Sequence, residues 1–335
     1  MINENSEEHQ KRIDDMRREM GTLPDLNTEN KDTKIYVGVE GISAELIDWP
    51  VNPYRTIFEM AVATWGSEEY PERWSRTTPE NRFKVVKAAL SGQTIPSVTE
   101  IALFSFIVRG GSRSAFDQHR TQRFATFFSQ GTRDNSRLNA GLRVPAELHP
   151  DNGVDADLYN DILDYVHKYK ELYQRILKQG AGSFQSARFL SPMGMTHHYK
   201  YTVSLNALKG YLAQRLMACE QPDTVQVAIA IWNQVHKKFP LIASHLKPAC
   251  DNARHCVYHK AGKLSELFSS LFAGCGRHRD PAPYSTFNRS CSSYEQMEKE
   301  SGEGIPRPKF WIEYNSFEDL REDDKKYFRY RRTIA

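Results

Sequence analysis

The stretch EIALFSFIVRGGSRSAFDQHRTQRFATFFSQGTR, residues 100–133, decides how this chain is read. Its first ten residues are nearly continuous in apolar side chains, which predicts a strand buried on both faces. Gly110 and Gly111 are expected to break that strand, and Ser112 to cap a following helix. On such a helix Gln118 and Gln122 lie four apart and share a face, and Arg120 and Arg123 lie three apart. RFATFFSQGTRDN then leaves the helix. Thr126, Ser129, Gln130 and Thr132 offer short polar groups beside Gly131, where backbone can approach a ligand. Between residues 105 and 137 stand six arginines, Arg109, Arg113, Arg120, Arg123, Arg133 and Arg137, with no lysine among them. The planar guanidinium grips phosphate or carboxylate oxygens through two bonds and stacks on flat rings. Spacing alone leaves two readings open: an anionic ligand, or arginines that are solvated or paired with carboxylates.

Outward from this segment, residues 1–33 read as a charged N-terminal arm, with charges of both signs and a loop-like GTLPDLNTENKDT. KIYVGV and AELIDWP are candidate strands. NPYRTIFEMAVATWG reads as a helix capped by Asn52 and opened by Pro53. TPENRFKVVKAALSG reads likewise, with Thr78, Pro79 and a terminating Gly92. Residues 155–179 predict a long amphipathic helix whose apolar face is Leu158, Ile162, Tyr165, Tyr169, Leu172 and Ile176. A glycine loop, GAGSFQSARF, follows. Residues 202–218 and 223–239 predict two more helices, separated at Pro222. Residues 246–335 form a C-terminal extension in which regular patterns fade.

The chain has 335 residues, 39% of them apolar, enough for a sizeable core. A net charge of +3 with abundant carboxylates makes the basic character local. It argues against a general nucleic-acid coat and suits a small phosphorylated ligand. No apolar run is long enough to span a membrane, and the charged N-terminus has no apolar signal core, so a soluble, cytoplasmic protein is expected. The five cysteines, Cys219, Cys250, Cys256, Cys275 and Cys291, are expected as thiols rather than as a disulfide framework. His255, His259 and His278 accompany them without the paired spacing of a zinc site, and no metal is expected. The G-x-S-x-G, G-x-G-x-x-G and P-loop patterns are absent from the sequence. Two further arginines stand apart: Arg188 in FQSARFLSPMG and Arg215 in YTVSLNALKGYLAQRL. Either alone reads as a surface residue.

Taken together, PSVTEIALFSFIVRGGSRSAFDQHRTQRFATFFSQGTR, from Pro96 to Arg133, resembles a signature of the flavin-dependent thymidylate synthases. In that family an apolar strand ends in G-x-S-R, and a helix with a glutamine leads into R-H-R-x7-S with an arginine two beyond. ARFLSPMGMTHHYKYTVSLNALKGYLAQR is similar to the family's arginine-proline segment and T-V-N-x-R helix. The likeness covers roughly residues 34–245. It implies an α+β fold, a mixed β-sheet flanked by helices.

Residue by residue, the resemblance places Ser97 and Glu100 on polar positions lining the flavin and nucleotide pocket. Gln118 falls on a nucleotide-contacting glutamine, and Arg123 on the last arginine of R-H-R, beside the flavin. Arg133 falls on the arginine that grips the nucleotide phosphate, and Arg188 and Arg215 on two further nucleotide contacts. Gln118 and Arg215 are the implied catalytic pair. Ser129 and Gly131 stand at the signature serine. The flavin side departs from the pattern: Thr121 and Gln122 replace the first two residues of R-H-R, Ile95 an upstream histidine, and Ser204, Asn206 and Gly210 the helix residues. Shifting the register puts His119 and Arg120 under the histidine and last arginine, where they would replace lost contacts. Cofactor contacts are therefore expected from Ser97, Glu100, His119, Arg120, Gln122, Arg123, Ser204 and Asn206.

The activity so implied is C5-methylation of a pyrimidine nucleoside monophosphate, dUMP or UMP. Methylenetetrahydrofolate supplies the carbon and reduced FAD the hydride, with NADPH as reductant, in a homotetramer whose sites form between subunits. Arginines polarise the uracil, so no cysteine nucleophile is required. Two other readings compete: a nucleotide binder that has lost flavin, and a single-strand nucleic-acid binder using Phe124, Phe127 and Phe128 as stacking groups.

Overall fold

Apolar strands from both halves of the chain pair into two sheets in the computed structural model, which describes residues 33–63, 70–129, 140–179, 184–217, 220–249 and 313–329. The larger is antiparallel, in the order β2 (Ser43–Asp48), β3 (Leu103–Ser112), β6 (Thr196–Ser204), β4 (Ala125–Ser129). The smaller is a parallel pair, β1 (Ile35–Val37) with β5 (Leu142–Val144). Helices pack around them, and the class is α+β.

β3 forms the expected strand, inside the sheet, but it is buried mainly on one face where burial on both was expected. Phe104, Phe106 and Val108 are fully buried, whereas Leu103 is 54% exposed and Arg109 pairs with Glu45 at the surface. An antiparallel sheet needs only one covered face, and α8 (Pro222–Lys238) packs over this face of β2 and β3. The outer face carries Glu45, Ile107, Lys200 and the exposed Phe128 in one cross-strand row.

Gly110 and Gly111 do not end the strand, as expected, but bulge it. The register with β6 shifts between Val108 and Gly111, and the strand runs on to Ser112. Gly110 adopts φ +80, and a Cβ there would lie 2.3 Å from the Gly41 carbonyl oxygen, so the bulge requires glycine. The buried Arg143 guanidinium donates to the carbonyls of Gly38, Glu40 and Gly110, tying β5 to the β1–β2 turn and the bulge.

Local capping decides most helix starts. Asn52 accepts from Arg55 N ahead of α1 (Pro53–Val62), and Thr78 from Asn81 N ahead of α3 (Pro79–Leu90). Between them lies α2 (Tyr70–Arg76). Ser112 caps α4 (Arg113–Arg120) through Ala115 N. α4 ends at Arg120, so Gln122 and Arg123 lie beyond it, and the stretch after them forms the edge strand β4. The predicted helix at 202–218 is in fact the end of β6 followed by α7 (Leu205–Arg215), capped by Ser204. In α5 (Ala156–Lys178) the buried residues are Val166, Tyr169, Lys170 and Tyr173. The expected face is rotated: Leu158, Tyr165 and Leu172 point outward, because α5 rests on its neighbours through one side only. α6 (Phe184–Ala187) and a 3-10 turn at Arg188–Leu190 connect it to β6.

Residues 313–329 share the main core. Phe328 in α10 (Glu322–Arg329) is fully buried and stacks on Tyr54 with centroids 4.7 Å apart. The buried Arg82 donates to the carbonyls of Trp74 and Phe328, and Asn52 donates to that of Tyr327. Asp324, fully buried, accepts from Tyr54 OH at 2.5 Å and from Leu241 N at 3.1 Å, at the start of α9 (Pro240–Ser244). The N-terminal arm, the cysteines and the Cys/His scatter lie outside the described residues, as do Gly131 and Arg133. No helix among the described residues is long and apolar enough to cross a membrane.

Two outcomes test this frame. Gly110→Ala is expected to destabilise the protein by at least ~2 kcal/mol in chemical denaturation, from left-handed strain plus the clash with Gly41. Burial raises the Asp324 carboxyl to about 6 against the pull of its two hydrogen bonds. Between pH about 4 and 6 the folded state therefore holds a proton that the unfolded state has lost. Stability should fall as pH rises through that window, and Asp324→Asn should flatten the slope; an unchanged slope would refute the assignment.

Candidate functional site

Two groups of the expected residues come together, each at the end of a helix. The first surrounds the C-terminus of α4. His119 there is fully buried, its Nδ1 2.6 Å from Tyr199 OH and its ring stacked on Tyr211 at 4.0 Å. Tyr201 and Phe127 close the cage edge-on. Burial, then the nearby Arg215 charge, holds His119 well below the usual imidazole range, so the ring is neutral. The cofactor contact anticipated above for His119 does not fit its full burial in this cage. Gln122 is also turned inward: its amide accepts from Tyr201 OH and donates to Ala207 O, serving the core where a flavin contact was expected.

Gln118 and Arg215 converge on consecutive residues. Gln118 Nε2 donates to Gln221 Oε1 at 2.9 Å, and its oxygen accepts from Thr224. Arg215 Nη1 contacts Glu220 Oε2 at 2.5 Å. The turn before α8 thus holds both implied catalytic side chains. Arg120 is exposed and lies 3.7 Å from Asp117 and over the Phe116 ring; Arg113 shares both partners. Arg109, Arg113 and Arg120 therefore follow the carboxylate-paired reading. Arg123 is exposed beside Phe124, whose φ of +58 reverses the chain into β4. Ser129 ends β4 opposite Tyr199. Arg188 is half-buried at the start of its 3-10 turn.

The second group lies at the N-terminus of α7. Asn206 Nδ2 donates to Glu100 Oε1 at 3.1 Å, beside the exposed Ser97 in the 3-10 turn Pro96–Thr99. Ser204 is consumed as the α7 cap. Asn206, Lys209 and Gly210 line a cleft of about 330 Å³ with Leu90, Ile242 and Leu246 as apolar wall. A Cβ at Gly210 would meet nothing within 4 Å, so the cleft is open there.

A larger cavity, about 440 Å³, adjoins Gln221 and is lined by Ser114, Arg143, Ile162, Met193 and Asp223 among others. Asp223 accepts from Ser112 Oγ, and its Oδ1 is buried with no hydrogen-bond partner among the described residues. Gln221, Asp223 and Thr224 were missed in the sequence. Their signal was there: buried polar residues (Asp223, Thr224, Gln226) at the head of an otherwise apolar helix, where a polar group needs a reason.

A family model described as thymidylate synthase complementing protein matches residues 45–241. The chain belongs to that family. Proteins named flavin-dependent thymidylate synthase from Pyrococcus abyssi and Pyrococcus furiosus are each 23% identical over 223 residues, 64% of this chain and 89% of theirs. Among solved structures, the UMP/dUMP methylase PolB from Streptomyces cacaoi bound with 5-Br UMP has a TM-score of 0.48 at 17% identity, covering 63% of this chain and 96% of that one. The same protein bound with 5-Br dUMP has a TM-score of 0.49. A flavin has an apolar tricyclic body, a hydrogen-bonding edge and an anionic chain. The α7 cleft offers apolar walls, the Asn206 amide and the Lys209 ammonium, a donor set that fits such a group.

Gln122→Ala is expected to cost about 1–3 kcal/mol, because it strands Tyr201 OH without a partner and removes the side-chain donor that ties the residues before β4 to Ala207 O of α7. Denaturation midpoints check this; an unchanged stability would show that the inward amide bonds do not hold.

Proposed function

We propose that this chain methylates C5 of the uracil ring of a pyrimidine nucleoside monophosphate, dUMP or UMP. Methylenetetrahydrofolate would give the carbon, and NADPH would be the reductant. FAD, when bound, supplies the hydride. The observation that carries the reading is the convergence of Gln118 and Arg215 on Gln221 and Glu220. Far apart in sequence, the amide and the guanidinium are each bonded to one of two consecutive residues, which supports this reading.

The roles follow from the chemistry of each group. Arg215 keeps further guanidinium N–H groups beyond the one on Glu220, and these polarise a uracil carbonyl as charge develops on the ring. Gln118, held by Gln221 and Thr224, orients the base. Arg133 and Arg188, with Ser129 and Gly131, form the phosphate grip, completed by neighbouring copies in a homotetramer. Ser97, Glu100, Asn206 and Arg123 hold the flavin; Ser204 supports them by starting α7. The inward turn of His119 and Gln122 favours one competing reading, a nucleotide binder without flavin. The pairing of Arg109, Arg113 and Arg120 with carboxylates weakens the nucleic-acid reading.

Loading the purified protein with FAD tests the two. A yellow protein that transfers the methylene carbon to dUMP or UMP is expected; a colourless protein under every loading condition would sink the enzyme reading. Arg215→Lys keeps the charge but loses the fork, and should lower kcat/KM roughly 10- to 100-fold. Activity equal to wild type would remove Arg215 from the site.

A further inference from the structure

α5 buries Val166, Tyr169, Lys170 and Tyr173, yet keeps a second apolar row outside. Leu158, Tyr165 and Leu172, spaced seven apart, are 50%, 57% and 43% exposed. Seven residues make two turns, so the three lie in one line along the helix. A single exposed apolar side chain is ordinary; an aligned row along a 23-residue helix marks a contact surface. At the middle of the row Tyr165 lines the cavity of about 440 Å³ together with Met193, itself 54% exposed, so the row passes over the rim of that cavity.

Charge divides the same helix into halves. Asp155, Asp157, Asp161 and Asp164 are exposed ahead of Tyr165. Lys168, Arg175 and Lys178 are exposed after it, with Glu171 as the one acid there. The helix dipole favours acid in the first turn and base in the last, which accounts for Asp155, Asp157, Arg175 and Lys178. It does not reach Asp161, Asp164 and Lys168 in the middle turns. Asp164 and Lys168 stand four apart, as do Glu171 and Arg175. Neither pair closes to an ion pair within 4 Å among the described residues, and these charges stay open to a partner.

Turned end over end about Tyr165, the helix matches itself. Leu158 falls on the position of Leu172, and the acidic half lies along the basic half. Laid parallel, each half would face its like and repel it. We propose that α5 is a self-association surface, through which two copies of this chain pack antiparallel with Tyr165 at the two-fold axis. Such a contact is isologous, each residue meeting its mirror position on the other copy. The second copy's helix then roofs the cavity beside Gln221, which is complete only in the pair. What that cavity binds rests on the reading above; the pairing stands on the row and the charges.

Sedimentation velocity of the full chain over a concentration series tests the surface. The wild type is expected as an even multiple of the monomer mass. Tyr165→Glu should halve that mass by raising the dissociation constant at least about 100-fold. Lys168→Glu and Asp161→Lys should each weaken the pair roughly tenfold, because like charges then meet. The combined variant should return to within about threefold of wild type, which only antiparallel order allows. Circular dichroism checks the fold of each variant. Mild oxidation gives a second readout that needs no dissociation. Tyr165→Cys should crosslink to itself, and Leu158→Cys to Leu172→Cys but not to itself, against the background of the wild type with its five cysteines. A wild type that stays monomeric at every concentration, or an assembly that Tyr165→Glu leaves intact, overturns the pairing. Leu158→Cys crosslinking to itself overturns the antiparallel order. FAD and dUMP uptake, measured on the same samples, separate this proposal from the methylation reading. A pair that forms through Tyr165 yet takes up neither keeps the surface and loses that reading. Methylation by an assembly indifferent to Tyr165→Glu does the reverse.

Discussion

Desolvation of one imidazole organises the region on which the rest depends. Burial between the Tyr199 hydroxyl and the Tyr211 face holds the His119 imidazole well below its ordinary range. A neutral, hydrogen-bonded ring packs as an aromatic, and four elements close on it: α4, β4, β6 and α7. Its neighbours inherit fixed positions. Gln118 precedes it on α4 and meets Gln221, while Arg215, one turn beyond Tyr211 on α7, meets Glu220. The buried ring thus joins the helix that carries Gln118 to the helix that carries Arg215.

The same logic explains why the signature can change while the frame persists. Gln122 occupies a position where the resembling family has a histidine, and its amide joins Tyr201 to Ala207. A side chain with both donor and acceptor satisfies two buried groups at once. Ser204, in place of an asparagine, starts α7 through Ala207 N. These residues carry structural duty, and the polar groups lining the α7 cleft come from further along, at Asn206 and Lys209.

Much of the frame was legible in the residues, for local reasons. The caps at Asn52, Thr78 and Ser112 are one-residue chemistry and were read correctly. What escaped depends on distant partners. β6 (THHYKYTVS) alternates histidines and tyrosines whose burial becomes apparent only beside Phe106, Phe116 and His119. Gly110-Gly111 reads as a break until Gly41 and Arg143 supply the other half of the bulge. Leu158, Tyr165 and Leu172 on α5 have core-like spacing, yet each stays 43–57% exposed. At the site, residue types were legible but orientation was not: the pattern that pointed to His119 and Gln122 could not say which way they face.

Residues 313–329 close the core over α1 and α3, and Arg82 meets Phe328 across 246 residues of chain. On a ribosome adding about 5–20 residues each second, that partner arrives on the order of 10–50 s later. Until then the aromatic faces of Tyr54 and Phe83 that Phe328 will meet wait uncovered. Synthesis itself thus becomes the interval in which this protein is most open to chaperone capture or to clumping with its neighbours.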